Sequence, residues 1–123
     1  MTPAPLRALG GGALMARFFG DRPPRVMALH GWGRESADFT EVLDGMAAVA
    51  LDLPGFGSSP PPDRAWGADD YAVGVIAVLE EMHSPMVVLG HSFGGRVAVC
   101  VAARRADLVG GLILTGAPLV LHG

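Results

Sequence analysis

Short, unbroken apolar runs constrain this chain more than any other feature. They fall at residues 26–29, 47–53 and 85–90 and within residues 108–116, where Leu112, Ile113 and Leu114 are central. Runs this short and continuous suit strands buried on both faces, not the apolar–polar alternation of a half-exposed sheet. The segments between them carry helical spacing. Residues 35–46 place Phe39, Val42, Leu43 and Met46 on one face, with Ser36 as a candidate cap. Residues 66–82 place Tyr71, Val75, Val78, Leu79 and Met82 on one side and open with Asp69 and Asp70, which suits the positive end of a helix dipole. Residues 93–105 are rich in Ala and Val, small enough to lie close to a sheet. Strands alternating with helices predict an α/β domain with a mostly parallel sheet and flanking helices.

At 123 residues the chain fits one domain. Residues 1–24, with Pro3, Pro5 and three successive glycines from Gly10, read as a loose leader in which residues 13–20 add an edge strand; the body runs from 25 to 123. The apolar stretch 6–19 is not an export signal, because Arg17 interrupts it and no small-residue cleavage pattern follows. No stretch approaches the roughly 20 apolar residues of a spanning helix, so no membrane is expected. With 9 Arg, no Lys and a net charge of −3, the chain lacks a basic stripe for nucleic acid and the lysine of a phosphate-binding loop. A single cysteine, Cys100, reads as a small buried hydrophobe and points to the cytoplasm. Metal-ligand spacing is absent, so no cofactor is implied.

The strongest local signal is Gly90-His91-Ser92-Phe93-Gly94-Gly95, placed where a strand meets a helix. A G-x-S-x-G turn there lifts a serine hydroxyl clear of the sheet, strains the backbone at Ser92 and leaves no room for side chains at 90 and 94. The plain structural reading is a glycine-rich turn capped by serine; context favours the nucleophile. Two companions supply that context. His30-Gly31-Trp32-Gly33 follows the first buried strand, where glycine-flanked backbone can turn the Trp32 amide inward as an oxyanion donor beside the amide of Phe93. The Trp32 side chain either lines an acyl pocket or packs over the loop as core. Residues 52–59, Asp-Leu-Pro-Gly-Phe-Gly-Ser-Ser, form a strand end and tight turns. Pro60 stands where a dinucleotide fingerprint needs its third glycine, which argues against a nucleotide site.

These motifs, in this order, resemble the α/β-hydrolase superfamily in its esterase-like branch, over roughly residues 25–123. The resemblance implies the α/β-hydrolase fold, Ser92 as catalytic nucleophile, and the backbone N–H groups of Trp32 and Phe93 as oxyanion hole. His30, Gly31, Gly90, His91, Gly94 and Gly95 would support the elbow and its loop. The His-Gly-Trp-Gly form is similar to that of carboxylesterases of the pimeloyl-carrier-protein methyl ester type, although His91 stands where their elbow usually carries Trp. A serine at 92 argues against the aspartate chemistry of related dehalogenases and epoxide hydrolases.

A serine nucleophile needs a base and a carboxylate to orient it. None of the four histidines suits the role of base. His91 should point away from Ser92 and bond locally, His83 caps a helix end, His30 braces the oxyanion loop, and His122 is penultimate. Asp52 and Asp107 read as structural, and no acid follows Asp107. The family implies an acid and a histidine further on, so the chain reads as the amino-terminal part of a hydrolase, stopping before the lid and last strands. A partial chain, an interrupted gene, or a short chain completed by a complementing carboxy-terminal half would each produce it. The expected activity is hydrolysis of a carboxylic ester or similar acyl bond on a small-molecule acyl substrate. Alternatives are a carbon–carbon bond hydrolase or perhydrolase on the same fold, and, from another class, a non-catalytic small-molecule binding protein or an inactive truncated product.

Overall fold

The computed structural model describes residues 4–116. One six-stranded sheet runs in the order β1-β2-β4-β3-β5-β6. Its strands are β1 (Leu6–Leu9), β2 (Leu14–Phe19), β3 (Val26–Leu29), β4 (Ala48–Asp52), β5 (Met86–His91) and β6 (Val109–Thr115). The pairs β3–β4, β3–β5 and β5–β6 are parallel, while β1–β2 and β2–β4 are antiparallel. The apolar runs of the sequence thus lie where continuous hydrophobicity is useful, in strands with both faces covered or partly covered.

The two faces are unequal. Met27, Leu29, Val49, Leu51, Met86 and Val88 point to one side, where α2 (Ala68–Met82) and α3 (Phe93–Arg104) cover them. The α2 stripe of Tyr71, Val75, Val78 and Leu79 is buried there, at about 1.5–3 kcal/mol for each large aliphatic side chain. Ala28, Ala48, Ala50 and Leu89 face the other way and form a smaller cluster with Phe19, Phe39 and Leu43, against which Ala4 and Val26 pack. Beyond them Val42, Met46 and Ile113 are exposed. Among the described residues β6 is the last strand of the sheet, and its Leu112 and Ile113 are 39% and 49% exposed.

Three expectations change. Residues 13–20 do not make an edge strand: β2 lies between β1 and β4, so the 1–24 segment contributes two strands to the same sheet and β1 is the edge. The helix expected over 35–46 is a 3₁₀ turn at Ser36–Phe39 followed by the single turn α1 (Thr40–Leu43). Asp44 leaves the helical region at ψ 127 and Gly45 takes φ 77, which turns the chain toward β4. Ser36 does not cap by its side chain; it is buried, with its amide donating to Asp52 Oδ1 at 2.7 Å and its Oγ accepting from Arg17 Nε at 3.3 Å. Finally, α2 begins at Ala68, two residues late, because Gly67 is its N-cap and Asp70 reaches back to the Gly67 amide at 2.9 Å.

His83 ends α2 by backbone conformation. It sits in the left-handed region at φ 60, exposed, with its amide donating to the Glu80 carbonyl. Cys100 is half-buried, and burial together with the Asp69 carboxylate beside it pushes its thiol up. Among the described residues no helix is long and apolar enough to cross a membrane.

The approach of α3 to the sheet depends on Gly94. A Cβ there would overlap the Leu29 carbonyl oxygen and lie 2.6 Å from the His30 carbonyl oxygen, both rigid backbone. Gly94→Ala is therefore expected to lower the unfolding free energy in a urea titration by about 1–3 kcal/mol or more. Val73→Ala, on the exposed side of α2, should stay within about 0.5 kcal/mol of the parent.

Candidate active site

The strand order reverses between β3 and β5. The chain leaves β3 toward β4 on one side and leaves β5 toward β6 on the other, so the loops after these neighbouring strands diverge and open a crevice at their carboxyl ends. The 30–33 and 90–95 motifs face one another there. A Cβ built on Gly31 would lie 3.4 Å from Ser92 Cβ, which places the first loop directly against the elbow.

Ser92 occupies φ 55, ψ −118, between the end of β5 and the start of α3. A non-glycine residue in this conformation is strained, and the surroundings must hold it there. They do so from several directions. The Ser92 amide donates to the Thr115 carbonyl at 2.9 Å, and the Gly95 amide donates to the Ser92 carbonyl at 2.9 Å. Beneath the turn, a Cβ on Gly90 would lie 2.5 Å from the Gly94 carbonyl oxygen and 2.6 Å from Gly95 Cα. Gly90, Gly94 and Gly95 are buried, while Ser92 is partly exposed at the mouth of the crevice.

The 31–34 segment is a tight turn. Arg34 N–H donates to the Gly31 carbonyl at 3.0 Å, and Gly33 takes φ 74 as the third residue of the turn. Trp32 occupies the second position, where the turn's own hydrogen bond does not use its amide. Phe93 is the first residue of α3, where a helix leaves its N–H groups unpaired. Both candidate oxyanion donors are thus amides that local geometry leaves available, on the two walls of one crevice.

His30 lies behind the loop, 1% exposed. Leu53 N–H donates to its Nε2 at 3.0 Å, which requires Nε2 to carry no proton; Nδ1 then holds the hydrogen and donates to the Gly31 carbonyl at 2.7 Å. Burial pushes the imidazole pKa below its ordinary value, against weaker opposing effects of the Gly31 carbonyl and the Asp52 carboxylate. Asp52 is equally buried and ends β4. Its carboxylate accepts from the amides of Ser36 at 2.7 Å and Ser58 at 3.0 Å. Its carbonyl accepts the Ser59 hydroxyl, whose oxygen in turn takes the Met15 amide at 2.7 Å. Gly57 closes on this carboxylate so tightly that a Cβ would lie 2.5 Å from it.

The remaining residues divide plainly. His91 turns its Nδ1 to the Thr115 hydroxyl at 2.9 Å, and its ring lies against Gly116, where a Cβ would approach it to 2.9 Å. Asp107 forms a two-pronged surface pair with Arg105. His122 lies outside the described residues. Among the described residues no histidine or carboxylate bonds the Ser92 hydroxyl, and no group of three or more His, Cys, Asp or Glu could hold a metal ion. The Trp32 side chain is 61% exposed and so is not core. Sequence reasoning missed Thr115 and the Ser36, Ser58 and Ser59 contacts to Asp52. Only Gly57 signalled the second group, through its place in the Gly-Phe-Gly turn.

The profile of the Alpha/beta hydrolase family matches residues 26–123. A pimeloyl-[acyl-carrier protein] methyl ester esterase of Neisseria meningitidis serogroup B is 36% identical over 102 residues, 77% of this chain and 37% of that protein. Lipase LipV of Mycobacterium tuberculosis is 37% identical over 105 residues, 82% of this chain and 40% of that protein. The solved thioesterase domain from the curacin biosynthetic pathway superposes with a TM-score of 0.86 at 26% identity, covering 99% of this chain and 49% of that one. The chain spans about two fifths of the length of these curated relatives.

The His30 geometry has a pH signature. In the folded protein the imidazole resists protonation, whereas the unfolded chain takes up a proton near pH 6.5. The stabilising neutral state is complete above that value and is lost as pH falls through it toward the lower folded value. Unfolding free energy measured from pH 7.5 down to 5 should decline by at most about 1.4 kcal/mol per pH unit on account of this group. His30→Gln should show a lower but flatter profile.

Proposed function

Because the chain belongs to the alpha/beta hydrolase family, we propose that it carries the nucleophile and oxyanion hole of a serine hydrolase acting on a carboxylic ester or similar acyl bond. The observation that carries this reading is the Ser92 backbone, held at φ 55 on a strand-to-helix turn beneath which Gly90 and Gly94 leave no space for a side chain. Strain of this kind persists only where the surroundings over-determine it, and it presents the hydroxyl to the crevice.

In this mechanism Ser92 Oγ attacks the carbonyl carbon while its proton passes to a general base, a histidine that the family implies and that none of the four histidines of this sequence supplies. The carbonyl oxygen becomes an oxyanion and accepts hydrogen bonds from the Trp32 and Phe93 amides. Collapse of the tetrahedral intermediate expels the alcohol, protonated by the same base, and leaves an ester on Ser92. Water then attacks that ester through a second tetrahedral intermediate, releasing the acid and restoring the serine. Each oxyanion donor is worth about 3 kcal/mol in comparable sites, so the conformation of the 31–34 turn bears directly on rate. The ester bonds named for the Neisseria relative support the substrate class. The lone Cys100 supports a reducing, cytoplasmic setting.

A fluorophosphonate probe applied to the full-length protein, which supplies the base and acid these 123 residues lack, should label the parent and lose its label in Ser92→Ala at an unchanged unfolding midpoint. Equal labelling of the two would overturn the assignment.

A further inference from the structure

Two consecutive residues of the elbow are held by one residue of β6. In the parallel register of β5 with β6, His91 lies opposite Thr115. The Thr115 carbonyl takes the Ser92 amide at 2.9 Å, and the Thr115 hydroxyl is hydrogen-bonded to His91 Nδ1 at 2.9 Å. Gly116 then turns the chain at φ 57 against the His91 ring, where a Cβ would come within 2.9 Å of Cε1. The imidazole is thus confined between the Thr115 hydroxyl and the Gly116 backbone. His91 and Thr115 are both exposed, so this arrangement removes little apolar surface from water, and burial does not account for it. The elbow does need a restraint. Ser92 at φ 55, ψ −118 lies outside the conformations that a residue with a side chain prefers, and relaxation toward one of them would swing its hydroxyl out of the crevice. Gly90 and Gly94 permit the turn without holding it. The bond from the Gly95 amide to the Ser92 carbonyl lies within the elbow and moves with it, whereas the Thr115 contacts come from a neighbouring strand.

We infer that Thr115, acting through His91, is a positioning residue for the nucleophile. This rests on Ser92 being the nucleophile. The Thr115 hydroxyl fixes the imidazole, the imidazole fixes the backbone that enters Ser92, and that backbone aims the Ser92 amide at the Thr115 carbonyl and the Ser92 hydroxyl into the crevice. The two polar groups of Thr115 therefore have separate tasks. Its carbonyl closes the elbow, and any residue at 115 would supply one. Its hydroxyl sets the angle of the residue before the nucleophile, and an aliphatic side chain of the same shape would not. His91 gains a role in rate that requires no proton transfer: it carries the restraint from β6 to the strained residue beside it.

The test follows labelling of the full-length protein by a fluorophosphonate over a range of probe concentrations, which separates the maximal labelling rate from the affinity for the probe. Thr115→Val keeps the branched shape and the carbonyl and removes only the hydroxyl. It is expected to lower the maximal rate about tenfold, with probe affinity and unfolding midpoint at the parent values. Thr115→Ser restores the hydroxyl and should recover most of the rate. His91→Phe should slow labelling about as much as Thr115→Val, and the double variant no more than either single one, because the two side chains act as one unit. A maximal rate in Thr115→Val equal to that of the parent, no recovery in Thr115→Ser, or losses that multiply in the double variant would overturn the inference. If Thr115→Val does not fold, Thr115→Ala compared with Thr115→Ser makes the same distinction. All these variants keep Ser92, so equal rates among them, with the label lost in Ser92→Ala, would remove the positioning role and leave the nucleophile standing. Label retained in Ser92→Ala would instead remove the nucleophile itself.

Discussion

The contact on which the structure turns is that of α3 with the carboxyl end of β3. The first turn of α3 presses on the Leu29 and His30 carbonyls at a separation that only glycine at 94 permits. This contact brings the start of a helix against the end of the neighbouring strand, and with it the Ser92 elbow against the 31–34 turn. Two walls of a crevice are thereby set from opposite sides of a strand-order reversal, and each offers an amide that its local structure leaves unpaired. A larger residue at 90 or 94 would separate the walls before it affected any side chain that does chemistry.

Behind the crevice lies a buried polar layer that is fully satisfied. Asp52 gathers the amides of Ser36 and Ser58, and neutral His30 connects Leu53 with Gly31. Among the described residues no buried side-chain nitrogen or oxygen is left without a partner. A layer of this kind is costly to break, since removing one member strands another in a low-dielectric interior. It therefore makes the loops after β3 and β4 behave as one rigid body around the elbow. The candidate oxyanion loop, the Gly-Phe-Gly turn and the strand β2 that reaches Ser59 through Met15 are all tied to it.

The opposite side of the sheet is treated differently. Two long helices cover one face, while a 3₁₀ turn and one turn of α-helix cover part of the other, leaving Val42, Met46 and Ile113 in water. The chain spans about two fifths of its curated relatives, and the exposed β6 edge, with Leu112 and Ile113, lies on the side of the sheet away from β1. The candidate crevice is compatible with this asymmetry because its walls belong to β3, β5 and α3, which are internal to the sheet or packed on its covered face.

By itself the sequence determined the sheet-forming runs, the amphipathic stripe of Tyr71, Val75, Val78 and Leu79, and the turn at 90–95, because each is written in neighbouring residues: continuity, period, and glycine where a Cβ cannot fit. The helix over 35–46 misled for the same reason. Its apolar spacing was real, but Asp52 holds the Ser36 amide and Gly45 turns the chain out, and neither influence is visible in the apolar period. Tertiary structure alone decided that β2 lies inside the sheet, that His30 is neutral with a defined tautomer, that Thr115 is tied to the elbow through Ser92 and His91, and that Trp32 is exposed against Phe56 and Phe93 and not core. Each of these depends on partners about 20 or more residues away, brought together by strand order, and pairwise contacts at that range leave no periodic trace in a single chain.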